Sequence, residues 1–146
     1  MPQIREAMLS AALRHRRDAE QLADGPADAS PDQAFHLAGF AAECARKCVL
    51  STETFDKAIG HGVGEAAEAG LLAALALDPM AHRYRLSAWG ARYPALAKWT
   101  EQARYEKTGS RTPDIVRGVV QEACQIVDAV VFALWADGFV PAGFDW

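Results

Sequence analysis

Apolar residues recur at intervals of three and four along four long stretches of the chain, which is the period of a helix with one buried face. These stretches run over about 2–23, 30–50, 65–77 and 112–136. Between 80 and 99 the pattern predicts a further helix or a pair of short helices, interrupted at Gly90 and Pro94. No stretch alternates with a period of two between hairpin signals. Residues 1–146 are therefore predicted to form a single all-α domain, an antiparallel four-helix up-and-down bundle with one or two additional short helices.

The second stretch, from Ser30 to Leu50, carries the clearest start signal in the chain. Ser30 can act as the N-cap, Pro31 suits the first helical position and Gln33 completes a capping box. Small side chains recur on one stripe of this helix, at Ala34, Ala38, Ala41 and Ala45. Because nothing bulky projects from that stripe, we expect another helix to approach it closely.

The last stretch begins at Thr112-Pro113, a second N-cap followed by proline, and is predicted to run to about Ala136. Its inward face is predicted to comprise Ile115, Val119, Ala123, Ile126, Val130 and Ala133. The apolar arc is widened by Val116, Val120, Val127 and Leu134. Such a wide arc packs against more than one neighbour, and we expect one of them to be a homodimer partner.

The composition indicates a soluble class, and the charge is unevenly spread. Hydrophobic residues make up 51% of the chain and charged residues 23%, which is typical of a globular protein. No uninterrupted apolar run resembles a membrane span or a signal peptide, so a cytoplasmic location without membrane contact is expected. The net charge is −4, yet residues 81–117 carry +5 and the remainder −9. The negative net charge argues against indiscriminate nucleic-acid binding by the whole surface, and the uneven distribution makes residues 81–117 the basic segment to consider.

The residues of the first two helices resemble the HEPN superfamily. The resemblance is carried by R-R-D-A-E-Q-L (Arg16 to Leu22) and D-Q-A-F-H-L-A-G-F-A-A-E-C-A-R-K (Asp32 to Lys47), with support from Gly60-His61 and from Trp99 and Arg104-Tyr105. It implies a small antiparallel bundle that commonly dimerises. It also implies either a ribonuclease of a toxin–antitoxin or phage-defence locus, sometimes paired with a minimal nucleotidyltransferase, or a non-catalytic RNA- or nucleotide-binding module.

Catalytic members of that superfamily carry an Arg, then four to six residues, then a His, near the start of the last long helix. The Arg holds the phosphate and the His serves in acid–base cleavage. The matching arginine in this chain is Arg104, but residues 109–111 are Gly, Ser and Arg. The motif is absent, which argues against ribonuclease activity. The alternative is an active, metal-independent endoribonuclease that uses Arg104 with His61 or His82.

The basic segment is interleaved with aromatic residues, namely Tyr84, Trp89, Tyr93, Trp99 and Tyr105. Cations neutralise phosphates while aromatic faces accept unpaired bases, so this pattern is typical of sites for single-stranded RNA or a nucleotide. The candidate binding residues are Arg104, Tyr105, Lys107, Arg111 and Arg117. The alternative interpretation is that Trp89 and Trp99 anchor the core and that the cations form a solvated face.

Glu43 is an acidic residue within the second helix, where a purely structural helix would not need one. It lies one turn before Lys47 and on the same line of the helix as His36. An exposed pair at this spacing contributes only about 0.5 kcal/mol. If Glu43 instead faces the interior, its carboxylate requires a cation, and Arg104 is the predicted partner. Glu43 therefore joins the catalytic candidates, beside the alternative of a purely structural contact.

Three cysteines, Cys44, Cys48 and Cys124, fall inside helical patterns and are predicted to be buried reduced thiols. No second cysteine pair stands at ligand spacing, so neither a metal nor a cofactor is predicted. The main functional prediction is a helical protein that binds RNA or a nucleotide as a homodimer. The third possibility is a non-catalytic dimeric interaction or scaffold protein that uses the last helix and the apolar tail 139–146.

Overall fold

The computed structural model describes residues 5–26, 29–50, 73, 76, 81–86 and 88–140. The helices are α1 (Glu6–Ala23), α2 (Pro31–Lys47), the short α3 (Trp89–Arg92) and α4 (Pro113–Ala136). Three further pieces are turns of 3-10 helix, at Ala81–Tyr84, Leu96–Lys98 and Glu101–Tyr105. No strand occurs in this described part of the chain, and the all-α class is confirmed.

The three long helices pack against one another. α1 runs antiparallel to α2, because Leu9 near the start of α1 shares a core cluster with Ala45 near the end of α2. α2 and α4 begin at the same end of the molecule, because Phe35 and Val116 share a second cluster. These directions are compatible with an up-and-down bundle. The predicted helix over 65–77 lies outside the described residues apart from 73 and 76, so the four-helix arrangement stays a prediction.

The predicted starts of α2 and α4 are confirmed. Ser30 Oγ accepts a hydrogen bond from the Gln33 N–H at 3.2 Å, and Pro31 is the first helical residue. Pro113 occupies the same position in α4, where Thr112 is the extended N-cap residue but its side chain makes no capping hydrogen bond. A side-chain cap and a proline therefore mark the start of α2, and a proline after an extended residue marks the start of α4.

The stripe of small residues on α2 is completely buried, since Ala34, Ala38, Ala41 and Ala45 are each 0% exposed. Beside that stripe, a Cβ added to Gly39 would lie 1.9 Å from Cε2 of Trp99. The indole of Trp99, itself 0% exposed, therefore lies directly on the backbone of α2. This contact attaches the segment after α3 to α2, and only glycine leaves room for it.

The buried face of α4 matches the predicted one at Val119, Ala123, Ile126 and Val130 and differs from it at Ile115. Ile115, predicted to face inward, is 58% exposed, whereas Val116 is 1% exposed. Val120 and Val127, expected to widen the apolar arc toward a partner, are 6% and 0% exposed within the single chain. The reason is that α1, α2 and the turn Leu96–Lys98 all pack on α4 and together cover the wide arc. The homodimer stays a prediction, but these two valines are not accessible to a partner.

By length and composition α4 passes the test for a membrane-spanning helix, contrary to the expectation from the sequence. Core helices of soluble proteins pass the same test, and Val119, Ala123 and Ile126 of α4 are buried against the rest of the chain. The length and composition of α4 therefore decide nothing about a membrane.

Gly39→Ala is expected to lower the free energy of unfolding by about 2 kcal/mol or more, because the new methyl group would overlap the buried Trp99 ring. Urea denaturation followed by tryptophan fluorescence measures this change. Gly118→Ala is the matched control, since Gly118 lies within α4 and a Cβ there would meet no atom within 4 Å. The control is expected to raise stability by up to about 1 kcal/mol. Equal effects of the two substitutions would contradict the close contact at Gly39.

Candidate functional site

The turn Glu101–Tyr105 packs on α2 and carries two of the predicted binding residues. Its buried residue is Ala103, which is 6% exposed and belongs to the same core cluster as Ala38. The residues that follow it, Arg104 and Tyr105, are both exposed. The turn is therefore held on α2 by Ala103, while the side chains of Arg104 and Tyr105 are exposed to solvent.

Arg104 and Tyr105 form a stacked pair at the surface. The guanidinium carbon of Arg104 lies 4.7 Å from the centroid of the Tyr105 ring, and Tyr105 is 71% exposed. Such an exposed cation–ring contact is worth about 0.5–1 kcal/mol, which orients the two groups without burying them. Within the described part of the chain no carboxylate pairs with Arg104. The pair thus offers a cation and an aromatic face side by side.

The loop after this turn is fixed by Asp32, in the first turn of α2. Asp32 Oδ2 accepts the Gly109 N–H at 2.7 Å, and Oδ1 accepts the Arg111 N–H at 3.1 Å. Gly109 has a φ of +87°, a left-handed conformation that favours glycine. One carboxylate therefore ties the approach to α4 onto the start of α2 and holds the loop that contains Lys107.

Arg111, one of the predicted binding residues, is used to hold this loop. Its guanidinium carbon lies 3.7 Å from the centroid of the Phe35 ring, and it forms an ion pair with Glu106. The hydrogen bond from Arg111 lowers the pKa of Glu106. The charge of Arg111 is thereby balanced within the loop, and its side chain packs on α2.

Arg117 is also balanced, by Asp114 at 2.8 Å on the same face of α4. Arg104 and Lys107 form no ion pair among the described residues. The structure therefore divides the five predicted binding residues. Arg104, Tyr105 and Lys107 are exposed and pair with no carboxylate among the described residues, whereas Arg111 and the also exposed Arg117 are paired with neighbouring carboxylates.

His36 lies in an aromatic cluster with Phe40 and Trp99. Its ring stands edge-on to Phe40, with centroids 4.6 Å apart, and lies 6.2 Å from Trp99. Burial lowers the pKa of His36, and the positive charges of Arg104 and His15 lower it further. The imidazole is therefore neutral at neutral pH.

Sequence reasoning did not connect His36 with Arg104. It placed His36 on the same line of α2 as Glu43, which reflects helical spacing alone. No local signal relates positions 36 and 104, because their proximity depends on how the segment after Trp99 lies on α2. The segment lies on α2 where the Trp99 ring contacts the backbone at Gly39, a residue without a side chain.

Glu43 is 4% exposed, so its carboxylate does face the interior. Its Oε1 accepts a hydrogen bond from Lys47 Nζ at 2.8 Å, and Lys47 is itself 5% exposed. Lys47, one turn further along α2, is therefore a cationic partner of Glu43, whereas the expected partner was Arg104. Arg46 beside them lies 4.3 Å over the Trp89 ring. This end of α2 is a buried charged cluster, and the catalytic role considered for Glu43 stays a prediction.

The two histidines proposed as catalytic partners of Arg104 cannot be located relative to it. His61 lies outside the described residues. For His82 the structure describes the backbone, in the turn Ala81–Tyr84, and not the side chain. The endoribonuclease alternative with either residue stays a prediction.

Four of the five aromatic residues interleaved with the cations belong to the core. Tyr84, Trp89, Tyr93 and Trp99 are 7%, 4%, 3% and 0% exposed. The interpretation of the two tryptophans as core anchors is confirmed, and it extends to two of the tyrosines. Of these five aromatic residues, Tyr105 alone has a ring that is exposed to solvent and accessible to a ligand.

The cysteines have the properties of structural thiols. Burial raises the pKa of Cys44 to about 11, and those of Cys48 and Cys124 to about 12. All three are free and stay protonated at neutral pH. Within the described residues, no group of three or more His, Cys, Asp or Glu side chains is arranged to hold a metal ion.

Comparisons of the chain with models of known protein families, with curated proteins and with solved structures find no match.

Asp32→Ala is expected to lower the free energy of unfolding by about 2 kcal/mol, because two backbone N–H groups lose a charged acceptor. Asp114→Ala is the matched control, since Asp114 also follows the first proline of its helix but is 91% exposed. The control is expected to cost about 0.5 kcal/mol. Urea denaturation measures both changes. Equal losses of unfolding free energy would show that the position of an aspartate at a helix start determines the effect, and that the two hydrogen bonds of Asp32 do not.

Proposed function

We propose that this protein is a HEPN-like helical domain that binds single-stranded RNA or a nucleotide through Arg104, Tyr105 and Lys107. The observation that carries the proposal is the surface pair in which Arg104 lies 4.7 Å over a Tyr105 ring that is 71% exposed. A ring so exposed contributes little to the core. It offers a face on which an unpaired base can stack while the guanidinium binds a phosphate.

The distribution of charge supports this proposal. Residues 81–117 carry +5 on a chain whose net charge is −4. Several cations of this segment are balanced by carboxylates, including Arg83, which pairs with Asp137 at 2.6 Å. Five cations of the segment pair with no carboxylate among the described residues, namely Arg85, Arg92, Lys98, Arg104 and Lys107. Such a basic segment attracts a polyanion, and Arg104 and Lys107 are the two cations on either side of the exposed Tyr105 in the sequence.

The biological setting rests on the resemblance alone. The D-Q-A-F-H-L-A-G-F-A-A-E-C-A-R-K stretch of α2 favours a bacterial toxin–antitoxin or phage-defence protein that acts as a homodimer. A nucleotidyltransferase-type partner protein belongs to the same hypothesis. The identity of the neighbouring gene tests this setting, and a gene of unrelated type would count against it.

An active endoribonuclease that uses Arg104 with His61 or His82 is the alternative. The missing histidine at residues 109–111 argues against it. Incubation of RNA with a high concentration of wild-type protein and of Arg104→Ala separates the two functions. Cleavage that the wild type performs and the variant does not would establish the enzyme in place of the simple binding module.

Tyr105→Ala is expected to weaken binding of a labelled single-stranded RNA by about 5- to 150-fold, because loss of base stacking costs about 1–3 kcal/mol. Arg104→Ala is expected to weaken it about tenfold and to reduce the dependence of log affinity on log salt by about 0.7, the value for one phosphate contact. Fluorescence anisotropy over a series of salt concentrations measures both quantities.

Arg117→Ala is the matched control for these variants, because Asp114 already balances the charge of Arg117. It is expected to change the affinity less than about twofold. Thermal unfolding confirms that each variant is folded. Equal losses of RNA affinity for Arg117→Ala and Arg104→Ala would show general electrostatic attraction in place of a specific site. Absence of RNA binding by the wild-type protein at low salt would refute the proposed function.

The scaffold alternative is favoured by a different observation on α4. Phe132 and Trp135 are 60% and 55% exposed, and their ring centroids lie 6.0 Å apart. Two large aromatic side chains together at a surface are typical of protein interfaces. A homodimer through the last helix would therefore use these residues in place of the buried Val120 and Val127.

Phe132→Glu is expected to convert a dimer of the wild-type protein into a monomer, because it places a charge in the proposed apolar contact. Sedimentation equilibrium measures the mass. Ile115→Glu is the control, since Ile115 is 58% exposed on the same helix but lies about 25 Å away at 1.5 Å per residue. A wild-type monomer, or a Phe132→Glu dimer as tight as the wild type, would exclude this interface.

A further inference from the structure

A cleft between the end of α1 and the start of α4 contains a cavity of about 290 Å³. The two helix ends meet there because α1 runs antiparallel to α2, whereas α2 and α4 begin at the same end of the molecule. The side chains of α1 that line the cavity are Glu20, Ala23 and Asp24. Those of α4 are Arg117, Val120, Gln121 and Cys124. One wall therefore carries two carboxylates, and the opposite wall carries a guanidinium.

These opposite charges line one cavity but form no ion pair across it. Arg117 pairs with Asp114 of its own helix at 2.8 Å, and with neither Glu20 nor Asp24. Oppositely charged side chains on facing walls attract each other, and direct contact would close the cavity between them. The space that separates them is therefore suited to a ligand that itself carries both charges.

The carboxylates of this cavity are unfavourable for α1 itself. The last turn of a helix carries partial negative charge and is stabilised by cations, yet the last turn of α1 contains no basic residue. It contains Glu20, and Asp24 is the C-cap residue. Arg16 Nε lies 3.6 Å from Glu20 Oε2, whereas Asp24 forms no ion pair among the described residues. A cationic group bound in the cavity would compensate both carboxylates and the helix end together.

We propose that this cavity binds a free L-α-amino acid with an apolar side chain. The ammonium group of the ligand binds Asp24 and Glu20, and its carboxylate binds Arg117. An anion without an ammonium group is repelled by the two carboxylates, and a cation without a carboxylate is repelled by the guanidinium. The remaining surface of the cavity is mainly apolar, with Ala23 and Val120 placed to contact the side chain of the ligand.

Arg117 is accessible to such a ligand because its pair with Asp114 is exposed. The side chains of Arg117 and Asp114 are 58% and 91% exposed, and an exposed pair of this kind is weak. A carboxylate in the cavity can therefore share the guanidinium or replace Asp114. The cavity is not lined by Arg104, Tyr105 or Lys107, so this inference does not rest on the proposed function.

An NMR titration of the ¹⁵N-labelled protein with L-leucine tests the ligand class and the location together. The expected Kd is about 1 mM or lower, and the shifts should centre on the amides of Ala23, Gln121 and Cys124. Leucinamide lacks the carboxylate, and 4-methylpentanoate lacks the ammonium group. Each is expected to bind at least about tenfold more weakly than L-leucine, because one charged contact is lost.

Asp24→Asn and Arg117→Ala are each expected to weaken L-leucine binding by about tenfold, because each removes one charged partner of the ligand. Asp18→Asn is the matched control, since it makes the same change of charge on α1 at a residue that does not line the cavity. It is expected to change the Kd less than about twofold.

Ala23→Leu alters no charge but places a larger side chain in the cavity, so it is expected to abolish L-leucine binding. Thermal unfolding checks that each variant is folded. Arg117→Ala also separates this site from the RNA surface, because the same variant is expected to leave RNA affinity nearly unchanged.

Three results would each overturn this inference. The first is binding of leucinamide or 4-methylpentanoate as tight as that of L-leucine. The second is a set of shifts centred away from the cavity, or an Asp24→Asn protein that binds as the wild type does. The third is a wild-type protein that binds none of L-valine, L-leucine and L-phenylalanine at about 10 mM. Failure of RNA binding alone would refute the proposed function and leave the amino-acid site in place.

Discussion

The close contact between Trp99 and Gly39 is the constraint on which the rest of this structure depends. It places a whole indole against the backbone of α2, where any side chain would collide with it. The segments on both sides are attached nearby, since Glu122 Oε2 accepts the Leu96 N–H at 2.6 Å and Ala103 is buried against α2. The exposed pair at Arg104 and Tyr105 therefore stands on a segment held at both ends. Without the space at Gly39, that segment could not lie where it does.

Arginine–aromatic stacking occurs in two forms in this protein, and burial of the ring distinguishes them. In three of the four described pairs the ring is a core residue, 3–4% exposed, so the arginine covers the core and its role is structural. These pairs are Arg46–Trp89, Arg92–Tyr93 and Arg111–Phe35. In the fourth, Arg104–Tyr105, the ring is 71% exposed. Stacking there covers no core, so this pair is the one free to serve a ligand.

Features set by local chemistry were predictable from the sequence, and those set by distant contacts were not. The starts of α2 and α4 follow from a cap residue and a proline, and the alanine stripe of α2 follows from spacing alone. The inward face of α4 was predictable from its spacing at Val119, Ala123, Ile126 and Val130, and the prediction is wrong at its first position, Ile115. The width of an apolar arc does not reveal whether its neighbours belong to the same chain, so Val120 and Val127 were assigned to a partner. Nothing local connects His36 with Arg104.

The attachment of the candidate site also determines what kind of ligand it suits. A single-stranded RNA is flexible and loses conformational freedom when it binds, so a surface that must also become ordered would bind it weakly. Here the backbone around Arg104 is ordered on folding, by Ala103 on one side and by the hydrogen bonds of Asp32 on the other. Only the side chains have freedom left to lose, and the stacking of Arg104 on Tyr105 already restricts two of them. Core packing is thus linked to the order of the candidate surface, because a weaker contact between Gly39 and Trp99 would also loosen the turn that carries Arg104 and Tyr105.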